Sequence, residues 1–158
     1  MYLGYCQCPI GIIEIEATKK ALVSVKIFSA DSLMNNADIK ENAIIKKTKK
    51  QLGEYFAHKR KVFDLLLCYN GSEFQQKVWN EIGKIPFGKT ITYGQLALKL
   101  GSKQLTRAVG NSTGKNPFWI IVPCHRIVGS HGELMGYAGG LWRKQFLLEH
   151  ESSQLKLL

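Results

Sequence analysis

The spacing of apolar residues changes near Gly71, and this change limits the chain to folds with two dissimilar parts. Over the first thirty residues, apolar and polar residues alternate with the period of two that is typical of a half-buried strand. After Gly71, apolar residues recur every three or four positions, as they do on one face of a helix. The turn-rich segment Tyr69–Ser72 separates the two patterns, so we expect one domain over residues 1–70 and a second over residues 71–158.

The first domain is predicted to be a three-stranded antiparallel meander followed by a helix. A polar stretch, Ser29–Asn36, connects the meander to the helix. The lysine cluster at residues 46–50 lies on the polar side of that helix and indicates a solvated face. The predicted elements are strands at Tyr2–Cys6, Gly11–Ala17 and Ala21–Phe28, a helix from Asp38 to Ala57, and one more strand at Val62–Cys68.

Short helices and one buried strand are predicted in the second domain. Gly101 ends the second helix and Ser102 caps the third. The apolar face of the third helix is Leu105, Ala108 and Val109. A basic stripe that includes Arg107 follows the outer side of this third helix. Two short helices joined in this way are typical of helix-turn-helix DNA-binding proteins. The predicted elements are helices at Glu73–Lys84, Tyr93–Leu100 and Ser102–Ser112, a strand at Phe118–Val122, and a final helix at Leu141–His150.

The chain carries a formal net charge of +10, which favours a polyanionic partner such as nucleic acid. No Asp or Glu occurs between Glu81 and Glu133. Because a solvated surface normally mixes charges of both signs, we interpret this acid-free segment as a surface kept clear for phosphates. Its cations are Lys84, Lys89, Lys99, Lys103, Arg107, Lys115 and Arg126.

Composition excludes several other classes of protein. Apolar residues make up 45% and charged residues 22% of the chain, which is typical of a folded globular protein. No apolar run reaches the ~18 residues of a membrane helix, and the N-terminus has no secretory signal pattern. Cys6 and Cys8 have no second Cys or His pair at zinc-finger spacing, so we expect no structural zinc and no other metal. A disulfide framework is not expected either.

Cys124 is the candidate nucleophile of the chain. It follows the predicted strand Phe118–Val122 and is flanked by His125 and Arg126, whose charges are expected to lower the pKa of the thiol. Adjacent side chains of a strand point to opposite sides, so a bend or a bridging water is needed for His125 to accept the thiol proton. Taken alone, the segment is also compatible with a purely structural role. Cys124 would then pack as a small apolar residue at the end of the strand, and His125 would cap it.

The motifs around Cys124 resemble one family closely. The segment Pro123–Arg126, preceded by Asn116-Pro117 and an apolar run, resembles the active-site signature of the O6-alkylguanine-DNA alkyltransferases. The order and spacing of the motifs resemble that family over residues 72–151, whereas residues 1–70 match in outline only. The other matching segments are Ile85–Gly88, Thr92-Tyr93, Arg107–Gly110, Gly136–Leu141 and Leu147–Glu151.

The resemblance implies an α+β or α/β fold and a single-use DNA repair reaction. The small N-terminal domain is expected to be ribonuclease H-like, and the C-terminal domain mostly helical and winged helix-turn-helix-like. The protein is expected to flip an O6-alkylguanine, and also an O4-alkylthymine, out of double-stranded DNA and to move the alkyl group irreversibly to Cys124. It is expected to need no cofactor, to bind no membrane, and to act as a cytoplasmic monomer.

The resemblance also implies roles at the reaction centre. His125 would take the thiol proton through a water, and Glu151 would orient and charge-balance the imidazole. Asn116 would hold the active-site turn, and Tyr93 would press on the 3′ phosphate and protonate the departing guanine. Without the resemblance, Glu151 is a solvated acid near a helix C-terminus, where the helix dipole disfavours it slightly.

DNA contacts are implied at a further set of residues. Arg107 would enter the base stack in place of the flipped base, although a surface arginine bound only to phosphate is the alternative. Tyr137 would line the pocket and stack on the base. The third helix would face the minor groove, which suits sequence-independent binding. Contacts to the DNA backbone are implied at Ser102, Gln75, Gly94 and Ser130.

Some residues depart from the family pattern, and two other functions stay open at this stage. Asn111 and Ser112 stand where a small apolar pair is more usual, and His131 and Glu133 leave the preference for methyl or bulky alkyl groups open. A binding module that flips the lesion without repairing it lacks the acceptor cysteine that this chain has. A helix-turn-helix transcription regulator would use Cys124 as a redox or alkylation sensor.

Overall fold

The structure of the chain is a computed structural model that describes residues 1–28 and 39–156, with the side chains of residues 153–156 excepted. The chain divides into two compact units, Met1–Tyr69 and Asn70–Leu158. The predicted polar stretch Ser29–Asn36 and the predicted helix start at Asp38 lie outside the described residues. Among the helices described, none combines the length and the apolar character needed to cross a membrane.

The first unit is an antiparallel sheet of three strands that packs against one helix. The sheet order is β1-β2-β3, which confirms the predicted meander. The helix packs closely on the first strand at Gly4, where a Cβ atom would lie 2.6 Å from Ile45 Cγ2. The elements are β1 (Tyr2–Cys8), β2 (Gly11–Ala17), β3 (Leu22–Ile27) and α1 (Ala43–Phe56).

The strand predicted at Val62–Cys68 is wrong. These described residues form a single parallel bridge, Leu22 with Leu67, instead of a strand. The buried side chain of Gln51 in α1 explains the difference, because its Oε1 accepts from Asp64 N at 2.9 Å and its Nε2 donates to Asp64 O at 3.2 Å. Because the backbone N–H and carbonyl of Asp64 already bind this side chain, they are not available for the hydrogen bonds of a further strand.

The second unit is mostly helical, as predicted. Two short strands pair in parallel and connect the start of the second of its helices to the segment after Cys124. Together with the first unit, this confirms the predicted fold class. The elements are α2 (Glu73–Ile82), β4 (Ile91–Thr92), α3 (Tyr93–Lys99), α4 (Thr106–Thr113), β5 (Ile127–Val128) and α5 (Leu141–Lys156).

Polar caps determine where the helices of the second unit begin. Ser72 and Thr92 each form a capping box with the glutamine three residues later. Gly101 has a φ of 126°, which glycine adopts readily, and it turns the chain after α3. Ser102 caps a 3₁₀ turn over Lys103–Leu105, and α4 begins only after that turn.

Helix α4 buries Val109, as predicted, but not Ala108. Ala108 is exposed, whereas Val109, Ser112 and Thr113 are buried. The reason is the packing of α2 against α4, where Trp79 Nε1 donates to the Ser112 carbonyl at 2.8 Å. This packing turns the start of α4 outward.

Candidate active site around Cys124

The segment before Cys124 is a buried turn and not the strand predicted at Phe118–Val122. The side chain of Asn116 spans it, since Oδ1 accepts from Phe118 N at 2.9 Å and Nδ2 donates to Val122 O at 2.8 Å. These bonds satisfy backbone groups that a neighbouring strand would otherwise bind. They also hold Ile120 at a φ of 71°, which is unfavourable for a β-branched residue.

Cys124 opens a 3₁₀ turn, Cys124–Arg126, instead of ending a strand. This turn bends the backbone at Cys124, and a bend was one of the two arrangements expected for His125 to accept the thiol proton. Cys124 lies on the wall of a cavity, while His125 and Arg126 enter a polar network inside the unit. All three side chains are buried.

Glu151 is the centre of that polar network. Because α5 continues to Lys156, Glu151 lies inside the helix and is buried, and the expectation of an acid near the helix end is wrong. Glu151 Oε2 lies 2.8 Å from His125 Nε2, and Oε1 accepts from Arg126 Nε at 2.8 Å. Burial alone would raise the pKa of Glu151, but the hydrogen bonds and charges of His125 and Arg126 outweigh it and hold the pKa well below the ordinary range.

His125 uses one ring nitrogen for Glu151 and keeps the other as an acceptor. An ionised carboxylate only accepts hydrogen bonds, so Nε2 carries the proton. Burial lowers the pKa of His125 and favours the neutral imidazole. Nδ1 is therefore unprotonated, and no described protein group donates a hydrogen bond to it.

Arg126 acts on Glu151 and not on the thiol. Its Nη1 also donates to the Ile85 carbonyl at 2.6 Å. Contrary to the expectation from the sequence, burial raises the pKa of Cys124, and a hydrogen bond from Asn116 and the charge of Lys144 oppose this rise. Arg126 is thus a buried structural cation, whereas the other six cations of the acid-free segment are exposed.

A cavity of about 280 Å³ opens onto Cys124. Tyr93 and Tyr137 line it, although a pocket role was expected of Tyr137 alone, and Trp119 is a third aromatic wall that the sequence did not reveal. The rings of Trp119 and Tyr137 meet at 5.6 Å and 55°, and a side chain at Gly139 would clash with both. The buried hydroxyl of Tyr137 has no described hydrogen-bond partner. Such a cavity suits a flat aromatic group that offers a few polar atoms.

Lys144 is the second residue that sequence reasoning missed. Its side chain is fully buried, and Nζ donates to the Met135 carbonyl at 2.7 Å. The Tyr93 hydroxyl donates to the same carbonyl at 3.3 Å. Burial lowers the pKa of Lys144 to about 8. The signal in the sequence was its position, since Lys144, Leu147 and Glu151 share one buried stripe of α5 at spacings of three and four.

Five of the residues predicted to contact DNA lie outside the cavity, whereas Tyr93 lines it. Arg107 is exposed on α4, one turn before Gly110 of the cavity wall. The side chains of Ser102 and Gln75 cap their own helices, and Ser130 Oγ lies 3.1 Å from His131 Nδ1. Gly94 lies in the first turn of α3. Among the described residues, no group of three or more His, Cys, Asp or Glu side chains is placed to hold a metal ion.

Comparison with known proteins gives matches along the whole chain. A family model described as "6-O-methylguanine DNA methyltransferase, DNA binding domain" matches residues 73–153. A second, described as "6-O-methylguanine DNA methyltransferase, ribonuclease-like domain", matches residues 1–68.

Individual relatives and solved structures agree with these matches. The methylated-DNA–protein-cysteine methyltransferase of Methanosarcina acetivorans is 39% identical over 155 residues, which cover 97% of this chain and 99% of the relative. The protein of the same name from Mycobacterium bovis is 48% identical over 104 residues, which cover 66% and 63%. The crystal structure of Mycobacterium tuberculosis OGT in complex with DNA aligns with a TM-score of 0.88 at 35% identity, covering 98% of this chain and 94% of that one.

Proposed function

Because the chain belongs to the 6-O-methylguanine DNA methyltransferase family, we propose that Cys124 is the residue that accepts the alkyl group. The protein repairs alkylated DNA by direct reversal, moving the alkyl group of the damaged base to a cysteine of its own chain. The observation that carries the assignment to Cys124 is its position on the cavity wall, next in the chain to His125, whose Nε2 binds Glu151.

Proton transfer from the thiol comes first in the proposed mechanism. Burial raises the pKa of Cys124, so the thiol is protonated before reaction. Nδ1 of the neutral His125 takes this proton through a water, and Glu151 balances the charge of the resulting imidazolium at Nε2. The thiolate is the reactive form.

Alkyl transfer follows from the thiolate. The sulfur attacks the alkyl carbon in line, the S–C bond forms, the C–O6 bond breaks, and the electron pair stays on the guanine oxygen. Tyr93 then protonates the departing guanine, and burial raises the pKa of Tyr93 so that its hydroxyl carries a proton to give. The thioether is stable to every group in the site, so each molecule acts once.

DNA recognition is the next part of the proposal. The target carbon lies inside a stacked duplex, so the base must rotate out, at a cost of about a few kcal/mol. Tyr137 stacks on the flipped base, and Arg107 fills the gap that the base leaves. Ser102, Gln75, Gly94 and Ser130 contact the DNA backbone, and Asn116 keeps the turn before Cys124 in shape.

The nucleophile is tested by mass spectrometry of the intact protein after incubation with duplex DNA that contains O6-methylguanine. We expect one methyl group per molecule, on Cys124, and no transfer to Cys124→Ala although that variant still binds the DNA. The matched control is Cys68→Ala, since Cys68 is an exposed free thiol and should be dispensable. Multiple turnovers, or transfer to the Cys124→Ala variant, would contradict the proposal. DNA binding without any methyl transfer by the natural chain would support a binding module or a regulator instead.

The role of Arg107 is tested by comparing two substrates. Arg107→Ala should slow repair of duplex DNA about tenfold or more, because the flipped base then has no substitute in the stack. It should leave the reaction with free O6-benzylguanine almost unchanged, because that base needs no flipping. Lys103→Ala removes a charge from the same exposed stripe and controls for phosphate attraction. Equal losses on both substrates would contradict the assignment.

The place of action completes the proposal. We infer a cytoplasmic monomer. Cell fractionation checks the compartment, and size-exclusion chromatography with light scattering checks the mass.

A further inference from the structure

Trp142, in the first turn of α5, is an aromatic side chain that the steps above do not use. Its exposed fraction is 55%, and every other Phe, Tyr and Trp ring of the described residues is buried or half-buried. A single exposed apolar residue needs no explanation by itself. The ring of Trp142 differs from such a residue because it is held in place, is connected to the cavity wall and is in contact with a guanidinium group.

Two contacts hold the ring of Trp142. The guanidinium carbon of Arg143 lies 4.5 Å from the centroid of this ring. Nη1 of Arg143 donates to the Gly139 carbonyl at 2.7 Å, so the guanidinium is itself anchored to the backbone. The ring also lies against Gly140, where a Cβ atom would be 3.6 Å from Trp142 Cδ1. A ring that is already ordered loses little conformational entropy when a partner covers it.

The segment that holds this ring also forms one wall of the cavity, which Tyr137 lines. A Cβ atom at Gly139 would lie 2.7 Å from Trp119 Cζ3 and 2.8 Å from Tyr137 Cε2. The backbone that Arg143 binds therefore packs on two of the aromatic walls of the cavity. Trp142 is thus joined to the cavity wall by a short chain of contacts.

The chemistry around Trp142 fits a nucleotide. Residues 134–148 contain no Asp or Glu, and Arg143 places a positive charge at the ring itself. Met135 and Leu141 are also exposed, which would suit an apolar protein surface, but the guanidinium on the ring favours an anionic partner. An aromatic ring that stacks on a base, next to a cation that attracts the backbone, is the usual arrangement for binding unpaired nucleotides without sequence preference.

We propose that Trp142 and Arg143 form a further contact surface for the damaged DNA, on which a nucleotide next to the flipped base stacks on the Trp142 ring while Arg143 attracts its phosphate. The inference rests on the proposed mode of DNA recognition, in which the damaged base leaves the duplex. Extrusion of a base unstacks its neighbours, and stacking on Trp142 offsets part of that cost. Because every base has an aromatic face, the surface serves a lesion in any sequence.

The test is the affinity for a labelled duplex that contains O6-methylguanine, measured by fluorescence anisotropy. All proteins in this test carry Cys124→Ala, so that no alkyl transfer interferes. Trp142→Ala should weaken binding about fivefold or more, which is the lower end of the loss expected for one base stacked on an aromatic ring. Trp142→Tyr keeps a ring and should recover most of the affinity. Leu141→Ala, at the exposed apolar residue next to it, should bind like the parent.

The salt dependence of the same binding tests Arg143. Arg143→Gln keeps an N–H donor and loses the charge, so the slope of log affinity against log salt concentration should fall by about the contribution of one phosphate. Lys46→Gln removes the same charge from the exposed face of α1 and should leave the slope unchanged. A slope that is also unchanged in Arg143→Gln would contradict the assignment of the phosphate to Arg143.

Three results would overturn the inference for Trp142. One is an equal DNA affinity of Trp142→Ala and its parent. The second is an unchanged affinity together with an altered mass in light scattering, which would mean that a second copy of the chain covers the ring. The third is seen in chains that keep Cys124, if Trp142→Ala slows transfer from free O6-benzylguanine as much as repair of duplex DNA, because the ring would then shape the cavity wall.

The proposed function fails separately from this inference. If the natural chain binds the duplex but transfers no alkyl group, Cys124 is not the acceptor. The affinities of the Trp142 variants still decide whether the ring contacts DNA.

A second measurement observes the ring of Trp142 directly. Acrylamide quenches the fluorescence of exposed tryptophans, and Trp142 should give most of the quenching because Trp79 is buried and Trp119 half-buried. Saturating duplex DNA should protect this fluorescence in the Cys124→Ala parent, and the protection should be lost when Trp142→Tyr is added. If the DNA leaves the quenching of the parent unchanged, the ring is not covered and the inference is wrong.

Discussion

The two units of this chain bury polar groups in different ways. In the unit Met1–Tyr69, the buried amide of Gln51 has neutral partners, the backbone N–H and carbonyl of Asp64. The unit Asn70–Leu158 also has neutral bonds of this kind at Asn116, but it buries in addition two charged side chains that bind each other, Arg126 and Glu151. The first arrangement connects segments of the chain, and the second creates an electrostatic environment.

The neutral bonds of the first unit and the ion pair of the second differ in their effect on the free energy of unfolding. Neutral hydrogen bonds of this kind add about 0.5–1.5 kcal/mol each to stability. A buried ion pair often adds nothing over well-packed apolar residues, yet removing one partner is strongly destabilising. The pair of Arg126 and Glu151 is therefore expected to add little to the free energy of unfolding while intact and to lower it strongly when one partner is removed. The first unit has no comparable set among its described residues.

The largest effect is expected when Glu151, the carboxylate at the centre of the polar network in the second unit, is replaced. Glu151→Gln leaves the Arg126 guanidinium without a counter-charge, and we expect a loss of about 3–5 kcal/mol in the free energy of unfolding. It also removes the group that balances the His125 imidazolium, so alkyl transfer should fall about 100-fold or more in the protein that remains folded. Denaturant unfolding and single-turnover transfer rates measure the two effects.

The matched control for this variant is Glu149→Gln, an exposed carboxylate on the same helix, which should change neither quantity. Acid gives a further check. Because the pKa of Glu151 is far below its unfolded value of about 4.3, its contribution to stability is complete above that pH and is lost as the pH falls towards the folded value. Glu151→Gln should therefore flatten the acid limb of the stability curve. If Glu151→Gln left the acid limb unchanged, Glu151 would not be the group whose protonation lowers stability at low pH.

Much of the fold was predictable because local patterns dominate it. The alternation that predicts Gly11–Ala17 gives the bounds of β2 as found, and the caps at Ser72 and Thr92 mark helix starts because a side-chain oxygen next to an apolar run is a local signal. The strand predicted at Phe118–Val122 fails for the opposite reason. Burial is visible in its apolar residues, but the turn depends on the side chain of Asn116, and periodicity does not report such bonds.

The site shows the same limit. Cys124 and His125 were recognisable from a contiguous motif, and their roles stay predictions until they are tested. Lys144 was overlooked because a lysine is normally interpreted as exposed, and only its place in the buried stripe with Leu147 argues otherwise. The pairing of Arg126 with Glu151 joins residues 25 positions apart, which composition and spacing do not reveal.

A smaller effect is expected from the first unit, where the buried amide should matter for stability alone. Gln51→Met keeps the size of the side chain and loses both hydrogen bonds to Asp64, whose backbone can then bind water because that residue is exposed. We expect a loss of about 1 kcal/mol, equivalent to about 4–8 °C in the Tm of a unit of this size. The rate of alkyl transfer below the transition should not change.

Thermal unfolding and single-turnover rates on the same sample check this expectation, with Gln145→Met, an exposed glutamine in the other unit, as the control. If Gln51→Met slowed alkyl transfer while the protein stayed folded, the contrast between the units would fail, because a neutral structural bond in the first unit would then be acting on the chemistry of the second. If Gln51→Met left both stability and rate unchanged, the hydrogen bonds of the Gln51 amide would add no more to the free energy of unfolding than those of the water that replaces it. The contrast would then rest on the charged interior of the second unit alone.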